Sequence, residues 1–555
     1  MKCNLIHCKK EVLLFIFLLI PSLIFAQGSI KGTVTDAQTG EPLAGVNIVI
    51  SGTQTGSPTN GEGEYELTDV NAGTYNIEAR YIGYETITKA VTVVDGQAST
   101  LNFEFSLATT LLDDVIVTAL GISREQRSIG YSTQVVDGED LSLTKEKNVL
   151  GSLAGKVAGV QVVGSSGASM GGTQKIKIRG VNSINGGDQP LIVVDGTPIS
   201  NANFAGSTGR DYGNLAQDIN PEDIESVNIL KGPAASALYG IRGQFGVVMI
   251  TTKKGKKGVD KFTVEFSSAL SFEKVGNIMP YQNLYGAGSS QTWSTLPNGE
   301  KYVRMIDESW GPKMDGTLVR HFNSFYSQDP EYGQLAPFSP QPDNIKDYYE
   351  TGTNFSQGVT ISGGGEKSNF RLSFNNTNIG GVEPNTFLDR NNVGVSAGVD
   401  VNEKWRFSTN INFATNSARR PSQGVESGSR YFGQWFERNL DMKRLKDYKY
   451  EDGTFLHWNL RTPSSSTGEI SNLSPLYFNN PYFNAYENTS EDRRDRLFGD
   501  VGATYKVMPN LVVSGFIRTD MYTQNIEGKT AFGGTDTPGY SVGKYQNKEM
   551  NYELM

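Results

Sequence analysis

Side chains able to do covalent or metal chemistry are scarce in this sequence. It holds two cysteines, Cys3 and Cys8, and three histidines, of which only His321 and His457 lie beyond the first ten residues. A thiol nucleophile or a thiolate zinc site therefore has no residues to build it outside the extreme N-terminus. Gly167-Ala-Ser-Met-Gly171 spells the G-x-S-x-G nucleophile elbow. That elbow must join a strand to a helix and needs a histidine partner. Here a strand is expected next, over Lys175 to Arg179, and both histidines fall in expected loops, so the spelling reads as coincidence. Gly286-Ala-Gly288 lacks the βαβ setting of a dinucleotide site. Asp113-Asp114 has no third ligand nearby in sequence. Lys253-Lys-Gly-Lys-Lys257 could meet phosphate or lipid headgroups, but a solvated hinge between domains explains it better. No catalytic residue, metal ligand or cofactor-binding residue is expected.

The bulk properties narrow the field further. At 555 residues the chain exceeds one domain of ~100–200 residues. Its formal charge is −9, so it offers no broad positive field and nucleic acid is not an expected partner. A mean hydropathy of −0.37 excludes a bundle of membrane helices. It leaves a membrane β-barrel open, because barrel strands are only half apolar. Lys2, Lys9 and Lys10 precede the apolar run Val12 to Phe25, and Ile24-Phe25-Ala26 fits a cleavage site before Gln27. Residues 1–26 thus read as a signal peptide. No cysteine follows it, so a lipoprotein anchor is not expected.

The elements that follow are mostly strands. Ser29 to Thr35, Val46 to Ile50, Tyr65 to Leu67, Gly73 to Tyr81 and Ile87 to Val94 alternate or run apolar between turn signals such as Asn60-Gly61. Residues 27–107 therefore predict a small β-sandwich, and the stretch resembles the carboxypeptidase-regulatory-like domain, an appendage without peptidase chemistry. A short β-branched segment, Val115 to Val117, follows within a linker over 108–123. It is either a strand of the sandwich or a docking strand for a partner's sheet edge. Residues 124–258 read as mixed α/β. A helix is expected over Asn148 to Ala158, where Val149, Leu153 and Val157 share a face. A second short one is expected over Ala234 to Leu238, and strands at Val160 to Val163, Leu191 to Val194 and Val247 to Thr252.

From Lys261 the period changes to long amphipathic strands. Phe262, Val264, Phe266, Leu270 and Phe272 share one face; Val393, Val395, Val399 and Val401 share another, as do Trp405, Phe407, Ile411 and Phe413. Seven strands are expected, ending with Leu497 to Val507 and Leu511 to Met521. Turns of a few residues alternate with connections that include 274–354 and 415–495. That asymmetry, with ~10 residues per strand, suits an outer-membrane barrel. The fold class expected is mainly β: a sandwich, a mixed α/β domain and the first part of a transmembrane antiparallel barrel over 259–555.

An ordered set of stretches carries a family resemblance. They are Leu112-Asp-Asp-Val-Ile-Val-Thr-Ala-Leu-Gly-Ile122, Ile176-Lys-Ile-Arg-Gly180, Pro190-Leu-Ile-Val-Val-Asp-Gly-Thr-Pro-Ile199, Asn220-Pro-Glu-Asp-Ile-Glu-Ser-Val-Asn-Ile-Leu-Lys231, Ala237-Leu-Tyr-Gly240, Gly246-Val-Val-Met-Ile-Thr-Thr-Lys-Lys-Gly255 and Ser309-Trp-Gly-Pro-Lys-Met-Asp-Gly316. Together they resemble SusC/RagA-type TonB-dependent outer-membrane transporters. The resemblance implies a plug over 124–258 inside the barrel. It makes Asp114, Val115, Ile116, Val117, Thr118 and Ala119 the TonB box. It places Arg179, Gly180, Asp195, Gly196, Lys231, Tyr239, Gly240, Arg242 and Gly243 in plug motifs. Lys231-Gly232-Pro233 and Ile241 to Gly246 depart from the commonest family spellings, which puts local plug–barrel contacts in question.

The function so implied is energised import of a nutrient, a glycan or an oligopeptide, without catalysis or cofactor. Implied partners are TonB with its inner-membrane ExbB/ExbD motor, a SusD-like lipoprotein, outer-membrane lipid and the nutrient. The N-terminal domain and plug would face the periplasm. Alternatives are a siderophore or cobalamin receptor and, in another class, a surface adhesin. Single-chain bacterial barrels have even strand numbers, and plugged transporters about 22. With seven strands and a mostly polar 523–555 that adds at most one weak strand near the terminus, the 555-residue chain is expected to be a partial barrel that does not close or conduct alone, since even eight strands leave no room for a plug.

Overall fold

In the computed structural model the chain divides into two units, Met1–Val115 and Ile116–Met555. The structure describes residues 28–105 apart from 38, 52, 54, 82, 83 and 85; 115–117; 123–125; and 133–555 apart from 144, 145, 147, 165–169, 171, 182–188, 203–210, 232–236, 238, 259–261, 421–431, 433 and 434.

The first unit is a sandwich of two sheets. β1 (Gly28–Asp36) lies between β4 (Glu64–Val70) and β7 (Ala98–Thr100), and also pairs with β8 (Phe103–Phe105). The facing sheet runs β3 (Gly56–Pro58), β2 (Asn47–Ile50), β5 (Gly73–Arg80), β6 (Ile87–Val93). Alternate residues point inward, as the pleat requires. Ile30, Val34, Ile48, Ile77, Phe103 and Phe105 are buried between the sheets.

β9 (Val115–Val117) and β10 (Ser123–Glu125) form a two-stranded sheet of their own. The plug sheet follows in the order β11 (Thr133–Asp137), β16 (Ile224–Leu230), β17 (Val247–Thr252), β14 (Leu191–Val194), β15 (Thr197–Ile199). β14 and β17 are parallel and the other pairs antiparallel. β12 (Val160–Gly164) and β13 (Gln174–Ile178) make a separate hairpin. The helix expected over Asn148 to Ala158 is instead one 3-10 turn at Gly151–Leu153 followed by turns. Val149, Leu153 and Val157 are buried as their spacing predicts. Gly155, at φ +73°, and Gly159, at φ +70°, take a left-handed backbone that ends any right-handed helix. The elbow spelling, Met170 excepted, and most of Ala234 to Leu238 lie outside the described residues.

The rest is one antiparallel sheet, the wall, flanked by connections of their own fold. β18 (Thr263–Glu273) opens it. The first long connection carries β19 (Ser294–Thr295), β20 (Lys301–Tyr302), β21 (Leu318–Val319) and β22 (Ala336–Pro337). Then come β23 (Gly352–Gly364), β24 (Ser368–Gly380), β25 (Phe387–Asp400), β26 (Trp405–Arg420), β27 (Ser490–Met508), β28 (Leu511–Thr530) and β29 (Gly539–Leu554). Wall strands neighbour one another in chain order, and β18 and β29 do not pair, so the sheet is open.

The wall is apolar on the face turned away from the plug. Val264, Phe266, Leu270 and Phe272 are 58–69% exposed there, and Leu372, Phe374, Phe407 and Ile517 follow suit. Towards the plug it presents buried Arg371, Asn392, Arg494, Arg496, Asp520 and Gln524. This inverted arrangement is that of a membrane barrel, whose strands face lipid outward and polar contents inward.

Among the described residues the wall has eight strands, where seven were counted. β27 begins at Ser490 rather than Leu497, β28 runs on to Thr530, and Gly539–Leu554 is a full strand where mostly polar loop with at most one weak strand was expected. The polarity misled because it lies on the plug side: Asp492, Arg494 and Arg496 are buried, and Glu549, Asn551 and Glu553 alternate with outward Met550, Tyr552 and Leu554.

Short turns at 365–367, 401–404 and 509–510 share one rim with the start of β18. The opposite rim carries 274–351 and 435–489, which fold together into a cap. Tyr326, Tyr348, Phe436, Trp458 and Tyr482 are buried at its centre. The helix Pro481–Glu487 is started by Asn480, whose side chain accepts from the Tyr482 amide, with Pro481 at the first helical position.

Candidate functional site

Two features stand out: the short strand ahead of the plug, and the surface on which plug meets wall. Val115, Ile116 and Val117 of the expected TonB box form β9, already paired with β10. Asp114, Thr118 and Ala119 lie outside the described residues.

At the plug–wall surface the plug segment Leu215–Asp218, a 3-10 turn, enters a cluster of buried charges. The Asp218 carboxylate accepts from Arg494 Nε at 2.9 Å and Nη2 at 2.7 Å, and from Arg496 Nη1 at 3.3 Å. Asn416 donates to it as well. Arg496 in turn holds Asp520 through Nε at 2.8 Å and Nη2 at 2.9 Å. All four side chains are 0% exposed. Two cations and two anions pair here, with buried Arg390 a further cation close enough to interact with Asp218 and Arg494, and the remaining donors of Arg494 and Arg496 find neutral acceptors. Arg494 Nη1 donates to Gln524 Oε1, and Arg496 donates to the Leu215 and Ser200 carbonyls. Such a cluster survives burial only when fully paired, since ions removed from water cost several kcal/mol each.

Further bonds extend this seam. Arg390 donates to the Gln217 carbonyl, Asn392 to the Asp218 carbonyl, and the Ser200 amide to Asp520. Tyr212 and Ser490 hydroxyls meet at 2.9 Å. Arg420 bridges Asp492 of the wall and the Met170 carbonyl of the plug.

The plug-motif residues divide. Asp195, at φ +48°, and Gly196, at φ +83°, turn β14 into β15. The Asp195 carboxylate accepts from the Thr252 amide at 3.1 Å and hydroxyl at 2.5 Å, and its carbonyl accepts from Arg518 of the wall at 3.0 Å. Burial pushes its pKa up, against the opposing pull of Lys254 and Thr252. A Cβ at Gly196 would stand 2.8 Å from the Arg518 guanidinium. Arg242 reaches Glu549 of β29 at 2.6 Å, an exposed contact made by one of the unusual spellings.

The others stay within the plug. Lys231 donates to the Ala158 carbonyl at 2.6 Å. Its pKa is lowered, by burial first and then by Arg179. Tyr239 packs against Val193, Leu230, Val247 and Met249. Arg179 and Gly180 are exposed at a turn with positive φ. Gly240 opens, and Gly243 ends, a 3-10 turn.

Asp218, Arg390, Arg494, Arg496 and Asp520 were not singled out from sequence. A signal existed: Asp492, Arg494, Arg496 and Asp500 recur at period two, in phase with the strand they begin.

Among the described residues no group of three acidic, histidine or cysteine side chains could hold a metal ion. His457 is buried in the cap and His321 half-buried there.

Comparison with known proteins supplies the context. Residues 30–117 match the CarboxypepD_reg-like domain, and residues 125–247 the TonB-dependent Receptor Plug Domain. The TonB-dependent receptor SusC of Bacteroides thetaiotaomicron is 30% identical over 406 residues, covering 73% of this chain and 35% of the relative. A TonB-dependent receptor of Formosa agariphila is 28% identical, covering 87% of this chain and 51% of the relative. The chain thus spans about half, or less, of the length of these relatives. A solved structure of the RagAB peptide importer in its open-open state shares the fold, with TM-score 0.57 and 18% identity over 79% of this chain and 46% of that one.

Proposed function

The chain is a homologue of TonB-dependent receptors and carries their plug domain, and from this premise we propose that it imports a nutrient across the outer membrane using energy delivered through TonB. The observation that carries the proposal is a plug fixed by a buried, ion-paired seam to the polar face of a wall whose other face is apolar. A plug so held blocks the lumen until work is done on it.

TonB, driven by its ExbB/ExbD motor, adds a strand to the box at Asp114 to Ala119. An extended segment that offers free main-chain groups is recognised by β-augmentation. Because Val115–Val117 is already paired with Ser123–Glu125, docking either uses its open edge or displaces that partner. Tension then passes along the linker into the plug and shifts it against the wall. The sandwich and plug face the periplasm, and the cap faces outward, where a SusD-like lipoprotein delivers a glycan or oligopeptide. The protein's own work is binding and conformational change; no bond in the nutrient is broken.

Val115→Pro tests this reading. Proline removes the ladder donor and disfavours pairing. Energy-dependent uptake should fall while outer-membrane level and ligand binding persist. Undiminished uptake by that variant would remove the assignment.

A further inference from the structure

We propose that polar solute passes the plug along one sector of the wall, the face of β18, β23 and β24, and that Glu222 with Ser267 and Asp223 with Arg371 form the constriction. The proposal rests on the import reading and adds to it a route and a solute class.

The seam between plug and wall is uneven. Against β26 to β28 it is closed by the Asp218, Arg494, Arg496 and Asp520 cluster. Against β18, β23 and β24 it holds two cavities. One, of about 120 Å³, is lined by Asn220, Glu222, Asn354, Ser356 and Thr377 among others. The second, of about 310 Å³ and nearer the short-turn rim, is lined by Lys254, Thr263, Glu265, Thr360 and Arg371 among others. Either is large enough for several waters, at about 10–15 Å³ each.

Strand register puts these linings in one column. Ala269, Ser356 and Thr377 share a row, then Ser267, Gly358 and Asn375, then Glu265, Thr360 and Ser373, then Thr263, Ser362 and Arg371. The upper rows are small and uncharged. The cavities are separated at the Ser267 row. There the Ser267 hydroxyl donates to Glu222 at 2.8 Å. Arg371 Nη2 lies 2.7 Å from Asp223 just below.

A second observation points to a ligand. Asn354 Oδ1, in a side chain only 8% exposed, and Ser373 Oγ, fully buried, have no hydrogen-bond partner among the described residues. Buried polar atoms are almost always satisfied, so Asn354 Oδ1, in the lining of the first cavity, marks a place for water or solute. Opening this sector breaks the Ser267–Glu222 bond, the Asn369–Gly255 bond and the Arg371–Asp223 ion pair, whereas opening the β26 to β28 sector would strand the four fully buried charges of the Asp218 cluster. The hydroxyl and amide side chains of the upper rows, with Lys254, Glu265 and Arg371 below them, suit a narrow, hydroxyl- or amide-rich solute that exchanges hydrogen bonds along the column.

The test uses the full-length protein, cysteine-free, in liposomes, with sucrose as probe. Ser267→Gly with Asn375→Ala trims the wall at the constriction and leaves the plug intact. Ser396→Gly with Asn410→Ala trims β25 and β26 as a matched pair. A plug-deleted form is the open control. The first pair should swell liposomes in sucrose about tenfold faster than the parent, the effect of one lost polar contact on a barrier. The matched pair should not. Adding Ser356→Cys and a trimethylammonium methanethiosulfonate should abolish the first pair's leak, while Asn410→Cys in the same background should not.

Equal leak from both pairs, no block at position 356, or no leak from the first pair while the plug-deleted form leaks would each overturn the route. Energy-dependent uptake is read separately. A leak at the constriction without such uptake leaves the route standing and removes the import reading; uptake without the leak removes the route alone.

Discussion

Asp218 carries more structural consequence than any other residue of the plug–wall seam. It accepts from two arginines and an asparagine of the wall while belonging to the plug. Removing one partner of a buried pair leaves uncompensated charge, at a cost of about 3–5 kcal/mol. Asp218→Ala should therefore loosen the plug, seen as faster protease cleavage of 133–258 with the wall intact. Combining it with Arg494→Leu should recover part of the loss. A double variant as loose as the sum of its parents would show that the pair is not coupled. Gly196 is set by two constraints, a positive φ and the guanidinium of Arg518. Gly196→Ala should cost about 1–3 kcal/mol of plug stability, measured in the same cleavage assay.

The cap can be tested through its buried histidine. His457 Nδ1 accepts from the Asn480 amide at 3.0 Å, so the ring sits neutral beside the start of the helix Pro481–Glu487. Burial lowers its pKa from 6.5 to about 4. The unfolded cap binds the proton more readily, so stability rises with pH between these values. The contribution is complete above about 6.5, is lost as pH falls towards about 4, and amounts to about 3 kcal/mol at 1.36 kcal/mol per unit. Hydrogen-exchange protection factors across 440–489, referred to the intrinsic rate at each pH, should fall on acidification through that window. His457→Gln, which does not titrate, should flatten the response; an unchanged pH profile in that variant would place the sensitivity elsewhere.

At the scale of the whole molecule, the sandwich has its own sheets and its own buried core, Ile30 to Phe105. A fragment of residues 27–107 is of ordinary domain size and should unfold cooperatively, with β-type circular dichroism and without metal or disulfide. A disordered NMR spectrum of that fragment would rule this out. Plug and wall, by contrast, share the polar seam, so the plug's stability should depend on the wall and be lower in isolation.

Much was legible in the sequence. Most of the outward face of the wall was legible, because outward Val264, Phe266, Val395 and Phe407 alternate with period two and periodicity is local. The sandwich was legible for the same reason. The ordered stretches from Leu112 to Gly316 were enough to point to a plug and its relatives.

What failed was whatever long-range partners decide. Asp492, Arg494 and Arg496 looked like a charged loop because their counter-ions, Arg420, Asp218 and Asp520, lie 24 to 278 residues away in sequence. Polar β29 was missed because its inner face is half-buried by a plug that sequence spacing does not place beside it. The Asn148 to Ala158 helix was overruled by left-handed Gly155 and by tertiary packing of Leu153. Apolar alternation is dictated by the solvent on each side of a strand and is written into the strand itself. Charge pairing across a seam depends on which two distant segments meet, and only the tertiary structure decides that.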